Sequence, residues 1–203
     1  VQLTDSGGQP QPITTRVELV QGQSGITLPR ILVATGKLLG VGDLSTTAQQ
    51  TIYGFDDQVA SFGSGTSLRS TLKVSKLKDV TGPSGTVLSR TLQCTSATTD
   101  CKDNAKGWYI DLPTTGERVN VDLRIAASTL VVASNIPSNE PCVSGGMGWI
   151  NYINYQTGGP VNEGAGGEGP AGVPVTEGLI MGNDLSATKD GNVVDVMAID
   201  VVW

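Results

Sequence analysis

The sequence predicts an all-β fold, specifically a partial β-propeller whose blades are short antiparallel strands. Three observations carry that expectation. Glycine (27 residues) and proline (10 residues) punctuate the 203-residue chain, and Val, Ile, Thr and Leu dominate what lies between them. Hardly any segment keeps a 3.6-residue apolar rhythm long enough for three helical turns. The run Gly107-Trp108-Tyr109-Ile110-Asp111-Leu112, closed by Thr115-Gly116, recurs loosely as Gly148-Trp149-Ile150-Asn151-Tyr152-Ile153, closed by Thr157-Gly158, with the tryptophans 41 positions apart. A period near 40 with small strands and Gly-rich turns is characteristic of propeller blades. Two weaker echoes, Thr51 to Asp57 and Val196 to Val201, offer apolar residues at alternate positions and then Asp. Read as one strand from each of successive blades, these amount to about four blade signals.

Taken in order, residues 1–12 are polar with Gly7, Gly8, Pro10 and Pro12 and read as an extended connector. Val17 to Leu19 and Ile31 to Ala34 are strands separated by the turn region Gly22–Gly25, and Asp43 to Gln50 suits a single helical turn. The strand at 52–56 follows. Leu68 to Leu77 alternates as a half-buried strand at an exposed edge, where its lysines discourage pairing with other chains. Val87 to Gln93 is expected to pair with Gly107 to Leu112, and Glu117 to Val121 with Thr129 to Ser134. Residues 158–178 lack periodicity and read as a long Gly/Pro-rich loop, of a length usual only in functional or mobile segments. Leu179 to Met181 and Val193 to Val202 form the last pair. The whole of 1–203 is therefore read as part of one propeller domain, with Trp203 ending the chain in mid-strand and suggesting truncation.

Charge narrows the function. The formal net charge is −6 and the basic residues are scattered, so the concentrated positive face needed to recruit nucleic-acid phosphates is missing. No apolar run is long enough to span a bilayer, and residues 1–12 do not read as a signal peptide. Three cysteines remain: Cys94, Cys101 and Cys142. Cys94 and Cys101 enclose six small or polar residues, a loop that brings two α-carbons within bridging distance and fits an oxidising, exported setting. Cys142 is then a buried thiol or pairs outside the chain, and pairing of Cys94 or Cys101 with Cys142 stays open.

Catalytic readings find little support. Histidine is absent, which excludes a Ser-His-Asp triad and, with these cysteine spacings, a zinc finger. Asp56-Asp57 at a strand end suits turn solvation or capping better than acid–base work. Gly36 to Gly42 is glycine-rich but lacks the Lys-Ser/Thr ending and following helix of a phosphate loop. Asn183, Asp184, Ser186, Asp190, Asn192 and Asp195 gather oxygen donors, yet Thr188 and Lys189 break the ligand register of a calcium loop, leaving an ordinary hairpin turn. Trp108 and Trp149 are assigned to the core in preference to a ligand groove.

Several segments in order resemble one known family. They are Gln11 to Thr15, Ile31 to Gly40 with Asp43-Leu44, Gln50 to Asp57, Gly107 to Pro113 with Gly116 to Val119, and Ile136 to Ser138 through Pro141-Cys142 to Gly146. Together they are similar to the C-terminal propeller of PilY/PilC-type proteins associated with type IV pilus tips. The resemblance covers about residues 11–160. It implies a secreted Gram-negative protein, displayed at the cell surface and pilus tip, that assists pilus biogenesis, opposes retraction and mediates adhesion to surfaces or host cells. It implies minor or major pilins, a surface or host receptor and the remaining blades of a parent protein as partners, with no enzymatic activity. Family members can bind calcium through an Asp-rich propeller loop; no match to that loop occurs here, so no cofactor is expected in this chain. Two other readings remain: a fragment of a quinoprotein-type propeller dehydrogenase, for which no cofactor site can be assembled, and a purely structural spacer.

Overall fold

A computed structural model describes residues 2–21, 28–57, 68–94, 106–138, 146–162, 164 and 167–175, and the backbone of 179–181 and 200–202. The described strands are β1 (Glu18–Val20), β2 (Arg30–Ala34), β3 (Thr51–Asp56), β4 (Lys73–Thr81), β5 (Val87–Cys94), β6 (Gly107–Asp111), β7 (Arg124–Ala126), β8 (Thr129–Pro137), β9 (Gly146–Asn154), β10 (Glu168–Val175), β11 (Leu179–Met181) and β12 (Asp200–Val202). The first ten hydrogen-bond in the order β1-β2-β3-β6-β4-β5-β10-β9-β8-β7 and curl into a half-barrel. β11 and β12 pair antiparallel with each other, as the sequence suggested for the last hairpin. The all-β class is borne out.

Two four-stranded antiparallel units are visible in this order, β1-β2-β3-β6 and β10-β9-β8-β7, with the β4–β5 hairpin between them. β4 runs parallel to β6, the one parallel junction among the described pairs. The repeats read from the sequence fall differently from one strand per blade. β3 and β6 are direct neighbours, with Tyr53 opposite Tyr109 and Thr51 opposite Asp111. The Trp149 copy lies in the second unit, on β9. Similar strands recur because β3, β6 and β9 are all buried central strands under the same demand for apolar residues.

Curling explains the core. Leu32, Ile52, Leu77, Leu92, Trp108, Ile110, Leu130, Val132, Ile153 and Ala171 come from eight different strands and form one buried cluster. Residues so spread across a sheet meet only if the sheet bends around them. The opposite face carries two smaller clusters, one near each end. Val33, Tyr53 and Phe55 pack under Leu68 and Leu72, and Val131, Ala133, Ile150 and Tyr152 pack with Val121. Because both faces are covered, β3 and β8 are apolar along much of their length instead of alternating cleanly.

Five local expectations change. Glu117 to Val121 is not a strand paired with Thr129 to Ser134: β7 pairs with that part of β8, and Arg118 meets Asn135 in an isolated bridge. β5 does not pair with β6; β4 lies between them and pairs with both. β4 is consequently an inner strand, not an exposed edge, and Leu68–Ser70 is a single 3-10 turn packed on the sheet. Residues 2–12 are not merely an extended connector. Thr4 bridges to Pro10, and the Tyr53 hydroxyl donates to Thr4 O at 2.8 Å or Gln11 Oε1 at 2.9 Å, tying the segment to the sheet. Residues 158–178 are not one loop, since β10 occupies 168–175 within them.

β10 was obscured by Pro170 and Pro174, which argue against a central strand. The strand tolerates them by changing partner midway. Glu168 to Pro170 pair with β5 only, Val173 to Val175 with β9 only, and Gly172 with both, across a register shift. Each proline therefore faces a partner strand on one side alone.

Candidate functional site

Three buried arginines organise the sheet, and the contrast among them singles out one surface feature. Arg30 on β2 forms a fully buried ion pair with Asp56 on β3, Nε to Oδ1 at 2.8 Å and Nη2 to Oδ2 at 3.1 Å. Its Nη1 also donates to Tyr155 O and Gln156 O. Asp56 thus belongs to a core ion pair and does not solvate a turn. Trp108 Nε1 donates to Tyr155 O at 3.0 Å, so the 155–158 turn is fastened from both sides.

Arg90 on β5 is the second. It donates to both Glu117 oxygens at 2.7 and 2.8 Å, to Asp79 at 2.7 Å and to Thr114 at 3.1 Å. Glu117 also accepts from Ser134, and Asn151 donates to the Ser134 hydroxyl at 3.3 Å. This cluster links β4, β5, β8 and β9 to the chain that follows β6. Trp149 is buried against it, and Trp108 is buried in the main cluster, so both tryptophans have the core role the sequence suggested.

Arg118 differs. Its guanidinium is also buried, but its bonding partners are neutral carbonyls: Gly116 from Nε at 2.9 Å, Lys37 at 3.2 Å and Asp43 from Nη1, and Thr46 from Nη2 at 2.8 Å. Burial pulls its pKa below the usual guanidinium value, with the nearby Asp43 charge opposing that shift. A guanidinium has five N–H groups. Four are committed, leaving one on Nη2 without a described partner.

The loop that supplies two of those carbonyls is the glycine-rich segment after β2. Its fold depends on Asp43, whose Oδ2 accepts the Leu39 N–H at 2.9 Å and the Gly40 N–H at 3.2 Å, while Oδ1 pairs with Lys37 Nζ at 2.9 Å. The Lys37 bond and the Leu39 N–H hold the Asp43 carboxyl below the usual carboxylate range. Gly36 is required where it stands: φ is +157° and a Cβ there would meet Val119 backbone at 2.4 Å.

Between this loop, Arg118 and the chain entering β3 lies a cleft of about 150 Å³, lined by Pro12, Lys37, Asp43, Thr46, Gln50 and Arg118. Gln50 is 4% exposed; its Nε2 donates to Ala48 O at 3.2 Å, and its Oε1 is buried without a hydrogen-bond partner. Gln50 Oε1 is sealed from solvent and Arg118 nearly so, which leaves the half-exposed Lys37 ammonium, paired with Asp43, as the charged group open to the cleft. The cleft contains no nucleophile–base pair, and no group of three metal-ligating side chains occurs among the described residues.

The sequence assigns Gly36–Gly42 no phosphate-loop role and Arg118 no role of its own, although Gly36 to Gly40 and Arg118 lie in segments that carry the family resemblance. Lys37 and Asp43 flanking the glycines were the legible signal. Arg118 gave none, because its carbonyl partners are backbone atoms. Of the predicted disulfide residues, Cys94 ends β5 with its sulfur in a disulfide. Cys101 and Cys142 lie outside the described residues, as do most of the 94–106 loop and the Asn183–Asp195 oxygen cluster. No helix among the described residues is long and apolar enough to cross a membrane.

A curled, propeller-type β-sheet with buried ionic clusters and a polar surface cleft among the described residues defines the class of scaffold. No family model matches the sequence, and no curated protein matches it. Among solved structures it is similar to the crystal structure of the Pseudomonas aeruginosa PilY1 C-terminal domain, with TM-score 0.64 and 19% sequence identity over 94% of this chain. The chain spans 44% of the length of that structure. The PilY1-like fold anticipated from the sequence is therefore present.

Proposed function

We propose that this chain is part of a type IV pilus-associated protein, displayed outside a Gram-negative cell, that acts in pilus biogenesis, retraction control and adhesion. The observation that carries this reading is the fold shared with the PilY1 C-terminal domain along 94% of the chain. Its partners are pilins at the pilus tip, a surface or host receptor, and further blades of a parent protein. The module works by binding, without catalytic turnover and without a cofactor of its own. A Cys94–Cys101 disulfide accompanies export to an oxidising compartment.

The test is made in the bacterium that encodes the chain. Deleting the segment in frame from its parent protein is expected to reduce surface pili, counted by electron microscopy, and attachment to an abiotic surface. Unchanged piliation and attachment, with the shortened protein still exported, would overturn the reading. Absorbance of a bound quinone in the purified protein would instead point to dehydrogenase chemistry.

A further inference from the structure

We propose that the glycine-rich loop after β2 is a membrane-contact loop, whose Leu39 and Val41 side chains insert into the interface of a zwitterionic lipid bilayer. The inference stands on the loop itself and does not draw on the pilus reading.

The fold does not account for these two side chains. Leu39 is 77% and Val41 84% exposed, and neither belongs to a buried cluster. Residues 39–42 are all exposed, and a Cβ on Gly40 or Gly42 would meet nothing within 4 Å, so the segment projects as a tip. Gly40 is extended, with φ −164° and ψ 172°, the conformation that sets residues two apart on one side of the chain. The tip is also held in place. Asp43 Oδ2 accepts the Leu39 and Gly40 N–H groups, and Arg118 donates to the carbonyls of Lys37, Asp43 and Thr46 at its base. A buried arginine and a buried carboxylate thus order a loop whose outermost side chains are bare aliphatics. Side chains on a frame already ordered lose less entropy on contact than mobile ones.

The loop's polar groups favour lipid over a protein groove. Its backbone is largely satisfied from within. Besides the two N–H groups bonded to Asp43, the carbonyls of Gly40, Val41 and Gly42 accept from Asp43 N, Leu44 N and Ser45 Oγ. Hydrocarbon offers no hydrogen bonds, so an inserted segment must bring its own; a protein partner would supply them. Charge is balanced as well. Lys37 Nζ pairs with Asp43 at 2.9 Å, so the loop carries no unpaired charge to the interface. In a chain of net charge −6 it has no positive excess to select anionic lipid. Apolar contact with a neutral bilayer is what remains.

The experiment sediments the 203-residue protein with vesicles of phosphatidylcholine. Saturable binding at millimolar lipid is expected, weakened about tenfold by Leu39→Ser and several-fold by Val41→Ser. Leu88→Ser, which removes an aliphatic 59% exposed on β5, should change nothing. In a Leu39→Trp variant the added fluorescence should be quenched by phosphatidylcholine brominated in its acyl chains, which reads insertion directly. All these positions are exposed, and binding by the unsubstituted protein does not depend on how any variant folds. No binding up to about 10 mM lipid would overturn the proposal, as would equal losses in Leu88→Ser and Leu39→Ser. So would a dimer, seen by sedimentation velocity without lipid and abolished by Leu39→Ser, which would assign the tip to a second copy of this chain.

Discussion

The guanidinium of Arg90 sits 3.8 Å above the ring of Trp149, held there by its paired bonds to Glu117. A cation on an aromatic face and a bidentate carboxylate in a dry interior each strengthen as water is excluded. Both also depend on the other partner staying in place. Glu117→Ala would leave a buried positive charge with Asp79 as its remaining described carboxylate. The expected loss is about 3–5 kcal/mol of unfolding free energy, read from urea denaturation monitored by tryptophan fluorescence. A loss below about 1 kcal/mol would show that water enters and screens the cluster.

Gly158 tests the packing around the other tryptophan. Its φ is +69°, and a Cβ there would stand 2.2 Å from Trp108 Cγ. Gly158→Ala combines left-handed strain of about 1–2 kcal/mol with overpacking of about 1–3 kcal/mol. Gly85, at φ +79° with open space around it, is the control: Gly85→Ala should incur the strain alone. Comparing the two denaturation midpoints checks the difference.

Tyr152 makes a prediction of the opposite sign. Its hydroxyl is buried without a hydrogen-bond partner, and burial pushes its pKa up to about 12 from 10.0. Tyr152→Phe should therefore be neutral or stabilise by about 1 kcal/mol. Between those two pKa values the folded state holds the proton more tightly than the unfolded chain does. Stability accordingly falls as pH rises from 10.0 toward about 12, and the phenylalanine variant should lose that part of the slope. An identical alkaline profile in both proteins would contradict the burial.

Asp43 governs the acid side locally. Its pKa is lowered from 3.8, chiefly by the Lys37 bond. The stabilisation it gives is complete above 3.8 and is lost as pH falls through the lower folded value. Asp43→Asn should flatten stability against pH in that range, and Lys37→Met should raise the Asp43 pKa in an NMR titration. No change in that titration would remove Lys37 as the cause.

The proposed Cys94–Cys101 bridge closes a short loop, for which chain entropy predicts about 2.5 kcal/mol. Cys101→Ser should lower stability by that order. Non-reducing peptide mapping should show the two cysteines joined; a Cys94–Cys142 linkage would reassign the pair.

The strands around Ile52, Ile110 and Ile153 were legible because burial on the sheet requires apolar residues in short runs between turns. Their arrangement was less so. The short turn from Gly82 to Thr86 does mark β4 and β5 as a hairpin, but nothing local indicates that β6 lies parallel against the other side of β4, because that pairing joins strands distant in sequence. Pro170 and Pro174 concealed β10, since a change of partner within a strand leaves no periodic trace. Arg30, Arg90 and Arg118 are buried although arginine is ordinarily a surface residue. Their partners lie between 26 and 126 positions away in the cases of Asp56, Glu117, Asp43 and Gln156, beyond the reach of local pattern. The Lys37–Asp43 pair was the readable fragment of the cleft.

Because β10 is the one described strand that hydrogen-bonds to both β5 and β9, the first six strands and the following three join into a continuous layer when residues 168–175 arrive. A ribosome delivers that joining piece last of the ten. Until then the nascent polypeptide carries two unzipped borders, along β5 and β9, each able to recruit a stranger's backbone. Completion of this scaffold is therefore timed by its least strand-like stretch, and chaperone shielding during synthesis matters most just before that stretch emerges.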